Sequence, residues 1–171
     1  LEIPERVNAT GEVLLTLDEE ALSTAAHQLA DEGVDAIAVC YMHAYANDAH
    51  ERRAKEILQA ELADIPITTS TEGAPEIREY EPANTACANA YVLPLMRHYL
   101  GDLSDKLTGL GLKQPLYLML SGGGIASVAT GRKTPIHLIE SGPAAGAMAG
   151  AFYGRLTETE HLVSFDMGGT T

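Results

Sequence analysis

The chain closes on Asp166-Met167-Gly168-Gly169-Thr170-Thr171, residue types that suit an anion with a cation beside it. Two glycines after an apolar stretch let the backbone turn sharply and approach a ligand, because no Cβ intervenes. Successive N–H groups in such a turn form a concave anion site. Thr170 and Thr171 can donate to phosphate oxygens, while Asp166 would face the Mg²⁺ that accompanies a nucleotide. An Asp before Gly-Gly is also how an ordinary tight turn is built.

Two more glycine-rich runs invite the same question. Ser121-Gly122-Gly123-Gly124 follows Leu116–Leu120, which reads as a buried strand, and open α/β sheets bind ligands at strand ends. The competing reading is a flexible crossover. Ser141-Gly142-Pro143-Ala144-Ala145-Gly146 would open a helix whose first N–H groups and positive dipole end attract anions. Close helix–sheet packing by small residues explains it equally well. Taken together, Gly122, Gly123, Gly124, Ser141, Gly142, Gly168, Gly169, Thr170 and Thr171 are the candidate phosphate-binding residues, and Asp166 the candidate metal ligand.

A different chemistry is offered by the polar cluster Glu72, Glu76, Arg78, Glu79, Tyr80 and Glu81. Carboxylates beside an Arg and a Tyr could bind substrate, a metal or a neighbouring subunit. A solvated loop leading into a helix N-terminus would use the same acids. Glu76, Arg78 and Glu79 are the candidate catalytic residues. His43 and His50 flank one loop and could share a site, though structural or surface roles suit them as well. Cys40 and Cys87 have neither disulfide-framework nor metal-ligand spacing and read as two reduced, buried thiols. No Ser-His-Asp arrangement is legible.

Charge narrows the partners. With a formal net charge of -13 over 171 residues, the chain lacks the basic surface that nucleic acid requires. A phosphate ligand must then be held by backbone N–H groups, helix ends and a metal ion. No apolar run approaches the roughly 20 residues that span a bilayer. The N-terminus carries no signal-peptide pattern, and without an initiator Met it is expected to start in mid-sequence.

The elements that must position these residues alternate between helix and strand. Val13–Leu17 reads as a short apolar strand or turn segment. Thr16 with Glu19 forms a capping box for a helix that ends at Gly33. Ala36–Met42 is apolar throughout, as in the interior of a parallel sheet. Asn47 caps a helix from Ala49 to about Leu62, Pro66 breaks it, and Ile67–Ser70 is a further strand. This order predicts an α/β architecture with crossover connections. From Ala83 to about Leu107 the apolar spacing is helical, and Pro94 should kink or divide that helix. Pro135–Ile139 reads as a strand or extended segment, and Leu162–Phe165 as a strand feeding Asp166.

Several stretches in order resemble the hydantoinase A/5-oxoprolinase family. They are Gly33–Val39 with Met42–Asn47, Ala49-His50-Glu51-Arg52, Pro75–Glu81, Asn89-Ala90-Tyr91, the Ser-Gly-Gly-Gly run, Ser141–Gly146 and the closing Asp-Met-Gly-Gly-Thr. The resemblance covers nearly the whole chain. It implies a fragment of an actin-like/sugar-kinase-like (ribonuclease H-like) ATPase fold, a mixed sheet with flanking helices. Residues 1–80 would be an α/β segment of the N-terminal region. Residues 81–161 would hold a helical stretch, a strand and the glycine turns, and 162–171 the truncated start of the phosphate loop.

The implied activity of the parent protein is ATP-dependent opening of a cyclic amide such as hydantoin, N-methylhydantoin or 5-oxoproline, through a phosphorylated amide. A carboxylase subunit of the acetone or acetophenone type and a non-catalytic nucleotide-binding module are the alternatives. ATP and Mg²⁺ are the implied cofactors, and a hydantoinase B-type subunit or domain the implied partner, with a homo-oligomer open. The location would be cytoplasmic. Family members also begin with an Asp-Val-Gly-Gly-Thr-type loop that this chain lacks, so the segment alone is expected to be inactive.

Overall fold

The computed structural model describes residues 1–168, which divide into two compact units, Leu1–Leu95 and Met96 onward. In the first, β1 (Arg6–Val7) and β2 (Val13–Leu15) pair antiparallel. The Asn8 side chain organises the turn between them, accepting from the N–H groups of Thr10 (3.0 Å) and Glu12 (2.9 Å). Helix α1 (Glu19–Asp31) is capped by Asp18, which accepts from Ala21 N–H at 2.9 Å. Thr16, the expected cap, lies outside the helix. Asp is as good a cap, and starting later leaves Leu17 free to pack against the core. Beyond α1, Gly33 has φ 73, the left-handed conformation that glycine adopts without cost.

β3 (Ile37–Val39), α2 (Ala49–Glu61) and β4 (Ile67–Thr69) form a crossover unit in which the strands run parallel, with Ile37 opposite Ile67 and Val39 opposite Thr69. Asn47 accepts from Ala49 N–H at 3.1 Å at the start of α2. The core lies here. Leu22 and Ala26 of α1, Ile37 and Val39 of β3, Ala54 and Leu58 of α2, and Ile67 of β4 are all buried together. On the surface, Arg53 of α2 grips Glu19 of α1 through two bonds, 2.7 and 2.8 Å.

A short helix, α3 (Ser70–Gly73), follows β4 directly, and α4 (Tyr80–Gly109) begins three residues earlier than its apolar pattern suggests. Pro94 neither divides nor ends α4, which runs unbroken through it. Proline removes one backbone bond and crowds one carbonyl, and the rest of a 30-residue ladder sustains the helix. Asn89 of α4, fully buried, donates to Thr68 of β4 at 3.0 Å and so ties helix to strand.

In the second unit, β5 (Tyr117–Met119) and β6 (Ile125–Ser127) form an antiparallel hairpin. The strand before the Ser-Gly-Gly-Gly run is therefore a partly exposed hairpin arm and no buried interior strand. Its turn is closed by Gly123 N–H to Leu120 O (2.9 Å) and Leu120 N–H to Gly124 O (2.8 Å). Helix α5 (Val128–Lys133) is capped by Ser127. Pro135–Leu138 is a 3-10 turn where a strand or extended segment is expected. Proline presets the first φ of such a turn, and the His137 carbonyl is taken up by Ser121 N–H at 2.7 Å.

Helix α6 (Ser141–Leu156) comes next. Leu162–Phe165, expected as a strand, carries no regular structure. It has no strand partner among the described residues and lies instead along small positions of α6. A Cβ at Gly150 would stand 3.2 Å from Leu162 Cδ2, and one at Gly154 3.5 Å from Leu162 Cδ1. The α/β class holds, and the mixed sheet takes the form of three separate two-stranded pairs among the described residues. None of the described helices is long and apolar enough to cross a membrane.

Candidate functional site

The first unit contains a cleft of about 230 Å³ where the ends of β3 and β4 meet the segment leading into α4. Tyr41, Ser70 and Thr71 line it, and so do all three candidate catalytic residues, Glu76, Arg78 and Glu79. Among the described residues, neither Glu76 nor Arg78 has an ion-pair partner. Arg78 also holds a strained backbone, φ 91, a conformation that costs on the order of 1–3 kcal/mol and persists only where the surroundings impose it. A guanidinium so placed can pair in bidentate fashion with a carboxylate or phosphate.

Glu79 has a partner. Its Oε1 accepts from His43 N–H at 3.3 Å and stands 3.9 Å from His43 Nε2. His43 Nδ1 lies 2.9 Å from the Val7 carbonyl oxygen, an acceptor only, so Nδ1 carries the proton. His43 itself is left-handed, φ 58. His50 pairs elsewhere, with the Glu5 carboxyl at 2.8 Å, so the two histidines do not share a site.

The cleft rests on a residue that the sequence reading passed over as part of a motif. Glu51 is fully buried on α2. Its Oε1 accepts from Tyr41 N–H (3.1 Å) and Ser70 Oγ (2.6 Å), its Oε2 from Thr71 N–H (3.1 Å) and Thr71 Oγ1 (2.9 Å). One carboxyl group thereby binds the end of β3 to the start of α3. A signal was present: Glu51 falls in helical phase with buried Ala54 and Leu58, and an acid on an apolar face needs a reason. Burial, together with the nearby Glu5 and Glu51, raises the ionisation of the Tyr41 phenol well above its ordinary range.

In the second unit one glycine-rich turn packs against α6 and another glycine-rich run opens that helix. The Ser-Gly-Gly-Gly turn packs beside Met148, since a Cβ at Gly123 would stand 2.8 Å from its Sδ. Gly123, with φ 83, holds the left-handed conformation that favours glycine. Ser141 and Gly142 form the first turn of α6, where N–H groups have no intrahelical acceptor. That turn holds no acidic residue, and Glu140 makes no side-chain cap. Asp166 and Gly168 lie on exposed chain beyond Ser164. Gly169, Thr170 and Thr171 lie outside the described residues.

No group of three or more His, Cys, Asp or Glu able to hold a metal occurs among the described residues. That does not disqualify Mg²⁺, which keeps several waters and uses one or two carboxylates plus substrate phosphates. A single exposed Asp166 fits such a shared role and would not suit an all-protein cage.

Comparison with known proteins bears on both units. A family model described as "Hydantoinase/oxoprolinase" matches residues 82–171, and one for the "Hydantoinase/oxoprolinase N-terminal region" matches residues 1–62. The chain belongs to the hydantoinase/oxoprolinase family. Caprolactamase subunit alpha of Pseudomonas jessenii is 31% identical over 97% of this chain and 24% of its own. The acetophenone carboxylase gamma subunit of Aromatoleum aromaticum is 32% identical over 100% of this chain and 24% of its own. A crystal structure of ATP-dependent caprolactamase from P. jessenii superposes with a TM-score of 0.84 and 31% identity, covering 91% of this chain and 22% of that one. This hydantoinase/oxoprolinase chain thus spans about a quarter of the length of such relatives.

Proposed function

We propose that the parent protein is an ATP-dependent hydrolase that opens a cyclic amide. The observation that carries this reading is the likeness, in sequence and fold, to an ATP-dependent caprolactamase. Phosphorylation of the amide oxygen would turn an unreactive carbonyl into one with a good leaving group, and water would complete the ring opening. Such a step depends on positioning and on charge stabilisation more than on covalent chemistry by the protein.

The residues suit a division of roles. Arg78, unpaired in the cleft, would orient the polar end of the organic substrate. Glu79, fixed by the His43 N–H, and Glu76 would handle protons. In the second unit, Ser141, Gly142, Gly122, Gly124, Gly168 and Gly169 would receive phosphate through N–H groups, as an acidic chain requires, while the Gly123 N–H closes its own turn. Asp166 would hold the Mg²⁺ whose charge offsets that of the phosphates. A second subunit is part of the proposal, because relatives are named as subunits of caprolactamase and of carboxylases.

The likeness to acetophenone carboxylase is equally extensive and supports a second reading, ATP-driven activation of a ketone or bicarbonate for carboxylation. The deciding experiment measures phosphate release by the full-length protein with its partner subunit. Release dependent on hydantoins, lactams or 5-oxoproline supports the hydrolase, and release dependent on ketone plus bicarbonate supports the carboxylase. Release indifferent to all of them would sink both.

A further inference from the structure

Two of the groups that line the cleft are kept out of proton chemistry near neutral pH. Partial burial pushes the Cys40 thiol up to about 12, and burial raises the Tyr41 phenol well above its ordinary range. Both stay protonated, although Cys40, like Cys87, is exposed where buried thiols were expected. The carboxyl groups of Glu76 and Glu79 are the acids that remain in the cleft wall. Glu79 is held at both ends. Its carbonyl oxygen accepts from Ala83 N–H at 2.9 Å in the first turn of α4, and its Oε1 accepts from His43 N–H at 3.3 Å.

His43 is itself clamped. Its ring Nδ1 is bonded to the carbonyl oxygen of buried Val7 on β1 at 2.9 Å. Its own carbonyl oxygen accepts from the N–H groups of Ala46 (2.9 Å) and Asn47 (3.2 Å). Asn47 Nδ2 in turn donates to Gly11 O at 2.9 Å, in the turn between β1 and β2. Two side chains thus dock the 43–47 turn onto the hairpin and impose the left-handed φ of 58 at His43, which is costly for a residue with a Cβ. Among the described residues of the first unit, the non-glycine residues with such a backbone are His43 and Arg78. One donates the N–H that Glu79 accepts, and the other precedes Glu79 in the chain.

We infer that His43 is a positioning residue, which fixes the Glu79 carboxyl group through its main-chain N–H while its ring anchors the turn to β1. The inference rests on the proton-handling role given to Glu79 above. A general base must come within about 2.6–3.2 Å of its partner, and an untethered glutamate side chain spreads over many rotamers. The left-handed backbone aims the N–H at Oε1, and the ring bond to Val7 holds that backbone. Nε2, 3.9 Å from Oε1, is too distant for a hydrogen bond, so the main-chain N–H carries the hold.

The test follows ATP-dependent turnover of a cyclic amide by the full-length protein. His43→Ala should lower kcat on the order of 10²-fold, as about 1 Å of misplacement does, and leave the KM for ATP unchanged. His43→Asn should recover most of that loss, because asparagine tolerates the left-handed backbone and its Nδ2 stands where the histidine Nδ1 does. In a Glu79→Gln background, His43→Ala should cost almost nothing further. An equal loss in both backgrounds would make His43 merely structural and overturn the inference. The hold is also read without turnover, since hydrogen exchange in a peptide covering residues 41–47 should quicken several-fold in Glu79→Ala. Unchanged exchange would overturn the inference as well. Faster exchange in a protein that turns over no cyclic amide would sink the proposed reaction, and the catalytic role of His43 with it, while leaving the hold on Glu79 in place.

Discussion

The two units of the chain bury their apolar residues to very different degrees. In the first, the parallel strands, α1 and α2 enclose a shared core, with Ala26 and Ala54 fully buried and Leu58 at 2% exposure. In the second, Tyr117, Ile125, Met148, Phe152, Tyr153 and Leu156 all stand exposed. The first unit can hold side chains in fixed positions, and its cleft is built from side chains. The second offers mainly backbone, in turns and a helix end, and backbone donors need less of a core to hold them. On the proposed division of roles, side-chain chemistry would sit where packing is dense, and main-chain chemistry where it is thin.

The strongest way to break that comparison is at Asp166. In the full-length protein, Asp166→Ala should lower Mg–ATP-dependent turnover by orders of magnitude, while Arg78→Ala should raise KM for the organic substrate and leave the KM for ATP unchanged. Steady-state kinetics in both substrates would show whether the two units divide the work or share it.

Stability should divide along the same line. Leu58→Ala should cost about 2–5 kcal/mol, as truncation in a closed core does, whereas Phe152→Ala, on a surface, should stay within about 0.5 kcal/mol. Urea unfolding of the chain measures both, and equal costs would erase the contrast. Glu51→Ala should cost about 2–3 kcal/mol, because it strands donors of Tyr41, Ser70 and Thr71 that its carboxylate satisfies.

A smaller effect is expected at high pH. In the unfolded chain Cys40 ionises near its ordinary value of 9.0, and in the fold it stays protonated to about 12. The folded state therefore holds its proton more tightly, so this contribution is complete below pH 9 and fades as pH rises toward 12. Thermal melts across that window should fall, and Cys40→Ser should flatten the decline. Smallest of all is Glu19→Gln, which removes an exposed ion pair with Arg53. Its effect should shrink further in high salt.

Much of the first unit could be read from the chain. The apolar run around Ile37–Val39, the helix-spaced Ala54 and Leu58, and Pro66 before a second strand led to the parallel crossover. Arg78 and Glu79 stood out as charged residues beside Gly and Pro. The second unit was harder because its signals are local and ambiguous. Pro135–Leu138 is apolar enough for a strand, but a strand also needs a neighbour, and that is a tertiary fact. Leu116–Leu120 reads as buried until β6 is found just beyond the glycines. Thr16 and Asp18 are both good caps, and only the packing of Leu17 chooses between them. Glu51 was hidden for another reason, since its partners lie on other elements.

The parallel pairing of β3 with β4 also sets a timetable for folding. No hairpin can bring Ile37 to Ile67; all of α2 must first be laid down between them, so loop closure precedes any gain from pairing. Glu51 shares in that delay. Three of its four hydrogen bonds come from Ser70 and Thr71, which arrive only after β4. Until then its carboxyl group belongs in water, and the apolar face of α2 cannot close over it. The residue that steadies the cleft thus draws most of its partners from beyond β4, so its site is complete only when both strands are in place.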